Sequence, residues 1–236
     1  MQMHPLKPEI SIIIPVLDEA ARIVERLQPL QVLRAQGVEL IVADGGSADD
    51  TAALVAPLAD RVLVAPRGRA AQMNAGAAVS RGRVLLFLHA DTALPDAALP
   101  AILTSVGAGA SWGRFDVRIA GRHPLLRLVE IMMNRRSRLT GIATGDQAIF
   151  VRREAFESVG GYADQPLMED IALSAALKRL APPACLRETV ITSARRWERH
   201  GVLRTILLMW WLRAAYFLGA DPARLARRYG YQPRAC

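Results

Sequence analysis

The sequence predicts an α/β protein built on a Rossmann-like, doubly wound, mostly parallel sheet with helices on both faces. Three observations predict it. Four short apolar runs in the first ninety residues alternate with stretches of helical periodicity. The stretches between runs are long enough for helices, so right-handed βαβ crossovers follow. Each run is followed at once by acidic residues or arginines, at the edge where open α/β sheets bind ligands.

In chain order, residues 9–16 (EISIIIPV) read as a buried strand. Residues 19–36 read as a helix, with Ile23, Leu27, Leu30 and Leu33 near helical spacing. Residues 38–43 are the second strand. Asp49 or Asp50 can cap a helix running to Leu58. Residues 61–64 are the third strand, 69–80 a helix and 83–88 the fourth strand. Beyond these, residues 111–119 suggest a strand carrying Arg114, Asp116 and Arg118 on one face. Residues 124–137 look helical, 139–146 form a loop with Gly141 and Gly145, and 147–152 suggest another strand. Residues 168–179 read as a helix opening on two carboxylates, 201–218 as a long apolar helix and 221–229 as a short basic one. There is no repeat, low-complexity tract or clear linker. The expectation is one domain over 1–236: a nucleotide half over about 8–95, an acceptor half over about 96–200, and C-terminal helices over 201–236.

The chain has 236 residues, enough to bury a sizeable core. Its 30 basic and 22 acidic residues give a formal charge of +8, and only Lys7 and Lys178 are lysines, so 28 of the 30 are arginine. Arginine grips phosphate through a planar fork and keeps its charge. The excess fits a phosphate-bearing ligand, a nucleic acid or an anionic membrane, or else a codon-driven bias toward Arg and Ala. Cys185 and Cys236 make neither a metal spacing nor a disulfide framework, so a reducing compartment is expected. Residues 1–8 hold no signal-peptide core, and no run reaches the roughly 18 apolar residues of a membrane span.

The residues just past the four strands are Leu17-Asp18-Glu19, Asp44-Gly45-Gly46-Ser47, Arg67-Gly68-Arg69 and His89-Ala90-Asp91-Thr92. Carboxylates there hydrogen-bond a ribose or base, or hold a hard cation, and arginines hold phosphate. Taken singly, Asp18, Ser47 and Asp49 suit helix capping as well. Four strand ends with the same chemistry favour a ligand site. The dinucleotide fingerprint GxGxxG and the Walker sequence are both missing, which argues against an NAD enzyme and a P-loop ATPase.

These motifs resemble those of family 2 glycosyltransferases, which have the GT-A fold. Residues 11–19 (SIIIPVLDE), 44–49 (DGGSAD), Asn74-Ala75-Gly76 and 89–92 are similar to the family's nucleotide-side motifs. Gly145-Asp146-Gln147, Glu169-Asp170 and Arg195-Arg196-Trp197 are similar to its acceptor-side motifs, in the expected order. The resemblance runs from about residue 8 to 218 and is nearest to small soluble bacterial members. It implies a nucleotide-sugar donor, UDP- or GDP-linked, with Glu19 and Asp44 at the ribose and base and Arg69 near the diphosphate or base. It implies Mg2+ or Mn2+ on Asp91, the last carboxylate of a DxD motif, and Asp170 as the general base of an inverting displacement. Asp146, Glu169, Arg196 and Trp197 would line the acceptor side. The physical logic agrees: a leaving diphosphate needs a cation, which takes one or two carboxylates plus the phosphates, and a base must reach the acceptor.

The first DxD position is His89, where an acid is usual. It remains a metal ligand, a sugar contact or a strand-end cap. Arg195-Arg196-Trp197 matches only part of the (Q/R)xxRW signature, whose first residue would fall at Ser193, so processivity is not inferred. Arg135, Arg136 and Arg138 beside the 139–145 loop either hold a phosphate of the acceptor, close over the donor, or form a solvated basic face. Trp197 stacks on a sugar or belongs to the core. The 201–218 helix, with Trp210, Trp211, Tyr216 and Phe217 flanked by Arg204 and Arg213, reads as a buried core helix or as a membrane-interface helix that docks a lipid acceptor. The acceptor is otherwise unknown, and the expected place is the cytoplasm, with peripheral contact at the inner face of the membrane as the extension. A nucleotidyltransferase is disfavoured because 15–19 has neither glycine nor lysine. A nucleic-acid-binding module is disfavoured because the arginines are spread along the chain.

Overall fold

The computed structural model describes residues 8–231. Lys7, Cys236 and the first seven residues, on which the leader reading rests, lie outside the described residues. Chain order begins with β1 (Ile10–Val16), α1 (Ile23–Leu27), α2 (Gln31–Ala35), β2 (Glu39–Asp44), α3 (Thr51–Val55), β3 (Arg61–Val64), α4 (Arg69–Val79) and β4 (Val84–Phe87). It continues with β5 (Thr92–Ala93), α5 (Ala98–Gly107), β6 (Trp112–Ala120), α6 (Pro124–Thr140), β7 (Phe150–Arg152) and α7 (Arg153–Ser158). The last elements are α8 (Glu169–Leu180), β8 (Ala184–Ser193), α9 (Arg195–His200), α10 (Val202–Phe217) and α11 (Pro222–Tyr229).

The eight strands form one sheet in the order β3-β2-β1-β4-β7-β6-β8-β5. Strands β3, β2, β1 and β4 run parallel, β7 is antiparallel to both β4 and β6, and β8 is parallel to β6. The carboxyl ends of β1, β2, β4, β6 and β8 therefore share one edge. Strand alternation sorts the core into two layers. Ile12 and Ile14 face a cluster with Leu27, Val55 and Ile102 from α1, α3 and α5. Ile13 faces the other side, with Met73, Phe156 and Leu177 from α4, α7 and α8. Helices thus cover both faces, as the patterning predicts. Helix α4 lies unusually close to β1: a Cβ on Gly76 would stand 2.5 Å from Ile13 Cγ2.

Several elements differ from expectation. The predicted 19–36 helix breaks into α1, a 3-10 turn at Gln28–Leu30 and α2, because Pro29 brings no N–H and sits at the start of the turn. Pro57 likewise ends α3 in a 3-10 turn. Asp50 occupies the N-cap of α3 without capping it; the Asp49 carboxylate accepts from Thr51 N–H at 3.0 Å instead. Pro15 stays inside β1, because the β4 pairing ends at Ile13–Phe87 and leaves no partner for its missing N–H. The 139–146 loop is shortened by a longer α6 and a 3-10 turn at Gly145–Gln147. The long apolar helix is not a core helix. On α10 only Thr205 and Leu212 are buried, while Leu203, Leu207, Trp210, Trp211 and Phe217 are exposed. One side alone packs, through Leu212, onto Ile171 of α8 and Leu225 of α11. Among the described residues no helix is long and apolar enough to cross a membrane.

Candidate active site

A cavity of about 1000 Å³ opens at the shared carboxyl edge of the sheet. Glu19 follows β1, His89 and Asp91 follow β4, and Thr192 and Ser193 end β8; all line it. Glu169 and Asp170 enter from the head of α8, Arg69 from the head of α4, and Arg196 and Trp197 from α9. Parallel strands with one shared edge thus bring together residues nearly two hundred positions apart. An ion pair spans the mouth, with Arg195 Nη2 3.5 Å from Glu19 Oε2.

Asp170 is held firmly. Its Oδ2 accepts from Gly145 N–H at 2.8 Å and its Oδ1 from Ile171 N–H at 2.7 Å. The preceding Met168 has φ +66° in the left-handed region, a conformation that a bulky residue keeps only when packing over-determines it. Its side chain is buried with Ile171 and Leu212. Glu169 is 5% exposed. Burial first, then the charge of Asp170, pushes its carboxyl up to about 7, against the opposing pull of Arg69 and His89.

His89 Nδ1 lies 3.5 Å from Asp146 Oδ1. Burial works against the Asp146 charge, but His89, with Arg69 and Arg196 behind it, holds that carboxyl below the usual range. The other edge of the His89 ring lies on Gly145: a Cβ there would come within 2.4 Å of Cε1 and 2.5 Å of Nε2. Nδ1 thus faces the 145–146 turn, while the buried Nε2 has no hydrogen-bond partner among the described residues. Among the described residues no group of three His, Cys, Asp or Glu side chains gathers as a cage. Asp91 alone, facing the cavity at a strand end, fits a hard cation whose shell is completed by substrate phosphates, and does not fit a protein-only site.

One sequence candidate, Asp44, is placed differently from expectation, and three others make further contacts. Asp44 is 2% exposed and does not line the cavity; its Oδ1 accepts from Ser47 N–H at 3.0 Å and Ser47 Oγ at 2.6 Å. It closes the turn after β2. Arg69 faces the cavity but also lies over the Tyr231 ring, 5.6 Å from its centroid. Arg196 stacks on Tyr229 at 3.4 Å and donates to its carbonyl at 2.7 Å. Trp197 packs on the small cluster of Ile119, Leu126 and Ala194 while touching the cavity, so it serves as wall and core together.

The cavity also holds apolar stripes that sequence reasoning passed over, each ending in an arginine. Helix α6 turns a stripe of Leu125, Leu128, Val129, Met132, Met133 and Arg136 toward it, at three- and four-residue spacing. Helix α10 faces that stripe with Ile206, Met209, Trp210 and Arg213 at the same spacing. Of the three clustered arginines, Arg138 is spent on Asp116 Oδ2 at 2.5 Å and the Cys185 carbonyl at 3.0 Å, and Arg135 is exposed. Arg136 alone turns inward. In the sequence Arg213 stands out as one of two arginines flanking the aromatics of the 201–218 helix, with nothing to place it at the cavity.

Comparison with known proteins now places the chain. A family model described as Glycosyl transferase family 2 matches residues 11–160. The chain belongs to glycosyl transferase family 2. It is 27% identical over 192 residues to a Bacillus subtilis protein described as a probable glycosyltransferase, YdaM, covering 71% of this chain and 46% of that one. A shorter match, 36% identical over 106 residues, is to an uncharacterised Mycobacterium tuberculosis protein and covers 33% of it. The chain thus spans less than half the length of these curated relatives. Among solved structures, the mannosyltransferase PcManGT of Pyrobaculum calidifontis, in complex with GDP-Man and Mn2+, superposes with TM-score 0.64. The identity is 20%, covering 98% of this chain and 66% of that one. S. aureus TarS in complex with UDP superposes with TM-score 0.64 at 15% identity, covering 78% of this chain and 60% of that one. These likenesses establish the GT-A fold. The family match ends at residue 160, so this member's Asp170, Arg196 and Arg213 lie beyond it.

Proposed function

We propose that this protein transfers a sugar from a UDP- or GDP-sugar to an acceptor hydroxyl, with inversion at the anomeric carbon. The observation that carries this is Asp170: a carboxylate fixed by two backbone N–H groups, facing the same cavity as the strand-end residues Glu19 and Asp91. The 8–95 half holds the donor, with Glu19 at the ribose or base and Arg69 near the diphosphate; the rest of the cavity receives the acceptor. Asp44 supports this from behind, by shaping the turn after β2. Asp91 would hold Mg2+ or Mn2+, which, when bound, supplies charge neutralisation on the leaving diphosphate.

In the reaction the acceptor oxygen bonds to the anomeric carbon from the face opposite the diphosphate. The carbon–oxygen bond to the diphosphate breaks, and its electron pair leaves on the nucleotide. The hydroxyl proton passes to Asp170, which is aimed by Gly145 and Ile171 and so needs no reorganisation. The exposed aromatic side of α10 supports peripheral contact with an anionic membrane, at the inner face if the protein is cytoplasmic; vesicle flotation tests it.

Thermal shift with UDP, GDP, CDP and dTDP, with and without Mn2+, tests the donor half. One nucleotide should raise Tm in a metal-dependent way, and Asp91→Ala should remove the effect. Asp170→Asn should keep that shift while turnover drops by about a hundredfold or more, the scale of general-base loss. Full turnover in Asp170→Asn would retire the base assignment, and no shift with any nucleotide would retire the transferase reading.

A further inference from the structure

The stripes on α6 and α10 have the same composition: apolar side chains, then one arginine. Met132 and Met133 on α6 and Met209 and Trp210 on α10 line the outer cavity, and Arg136 and Arg213 stand where the stripes approach Asp170. Neither guanidinium donates a hydrogen bond or forms an ion pair with a described residue, and Arg136 Nη2 is fully buried without a partner. The charge of Asp170 acts on both guanidiniums, but no ion pair or hydrogen bond joins it to either, and its oxygens accept from the backbone N–H groups of Gly145 and Ile171. Burial, then the neighbouring charge of Arg213, pulls Arg136 down to about 10, and burial also lowers Arg213. Two like charges withdrawn from water and left unpaired are unfavourable. What relieves them is an anion, and the guanidinium fork suits a flat or tetrahedral oxyanion.

We propose that the acceptor is an anionic amphiphile, with its oxyanion held between Arg136 and Arg213 and its hydrocarbon part lying between α6 and α10. This rests on the transferase reading of the cavity and names the substrate class of its acceptor half. The oxyanion is a phosphate ester or a carboxylate; either presents the oxygens the two forks need. Holding it there brings the adjoining hydroxyl of the acceptor to Asp170. The exposed outer side chains, Met132 (42%) and Trp210 (54%), leave the far end open, so chain length is not capped.

Calorimetric titration of the full chain with decyl phosphate, decanoate, decanol and inorganic phosphate tests the proposal. Decyl phosphate or decanoate should bind, and whichever binds tighter identifies the oxyanion. Decanol and inorganic phosphate should each bind at least about tenfold more weakly, lacking one half of the recognition. Arg136→Ala and Arg213→Gln should each weaken the anionic amphiphile by about tenfold, the scale of a charged hydrogen bond. Decanol or inorganic phosphate binding as tightly as the amphiphile overturns the proposal on the wild-type chain alone, whether or not the variants fold. Full affinity in both variants overturns it too. Nucleotide binding in the same samples separates the two readings. Nucleotide without amphiphile sinks this inference and spares the transferase; amphiphile without nucleotide retires the transferase reading, and the acceptor role with it, and leaves only a site for an anionic amphiphile.

Discussion

Glu169 sits almost wholly out of water beside a second carboxylate, and its carboxyl is pushed up from 4.5 to about 7. A folded-state pKa above the unfolded one means that the fold favours the protonated form. That contribution is complete below about pH 4.5 and is lost as pH rises to about 7, amounting to up to about 3 kcal/mol. Replacing Glu169 by Gln removes the titration. Urea unfolding should then show a smaller fall in stability between pH 5 and pH 8 than the wild type, with the variant more stable at pH 8; an unchanged fall would show that Glu169 is not the group involved. At this scale the sequence was legible for Glu19, Arg69, Asp91, Asp146, Glu169, Asp170, Arg196 and Trp197, all of which reach the cavity. Their position after strands or at a helix head fixes where they go. It was not legible for Asp44, because whether a strand-end carboxylate faces a ligand or closes its own turn depends on a neighbour such as Ser47. Arg136 among its neighbours was equally hidden, since only the rotation of α6 separates it from Arg135 and Arg138.

Among the elements, the parallel half of the sheet followed from four apolar runs, and the second half did not. Strand β8 was missed because its alternation is diluted by Arg187 and Glu188 and its burial is incomplete. Helix α5, apolar and uncharged, was passed over between motifs. The contact that anchors α4 to β1 was hinted at only by Asn74-Ala75-Gly76. Gly76 lets α4 approach until a Cβ would meet Ile13 Cγ2 at 2.5 Å, so Gly76→Ala forces a shift of α4 or of the Ile13 side chain. It should cost about 1–3 kcal/mol by urea denaturation, despite the better helix propensity of alanine. Because α4 begins with Arg69, the variant should also weaken nucleotide binding. A variant as stable as the wild type would show that the sheet yields freely there.

Over the whole molecule, the arginine excess resolves into several jobs that composition could not separate. Many guanidiniums clamp backbone carbonyls: Arg153 holds those of Gly82 and Ser80, Arg152 that of Ala110, and Arg127 those of Ile119 and Gly121. Others face the cavity, and Arg204 on α10 and Arg224 and Arg227 on α11 are exposed. At the C-terminal end of α10, Phe217 is 66% and Leu218 88% exposed, outside the cavity. Exposed apolar side chains on helices that also carry exposed arginines suit an anionic bilayer surface. The chain should float with vesicles containing an anionic lipid, less so in high salt, and Phe217→Ser with Leu218→Ser should reduce binding by about tenfold or more. Equal recovery with neutral vesicles, or none with anionic ones, would dismiss the membrane contact without touching the cavity chemistry.

The turn at Gly145 carries a mechanical meaning. The His89 ring rests on Gly145, and the Gly145 N–H grips Asp170. The end of β4 and the head of α8 are therefore joined through a single glycine. Any side chain at position 145 would run into the His89 ring, so Gly145→Ala should disturb the support of Asp170 and lower turnover while leaving nucleotide binding in place.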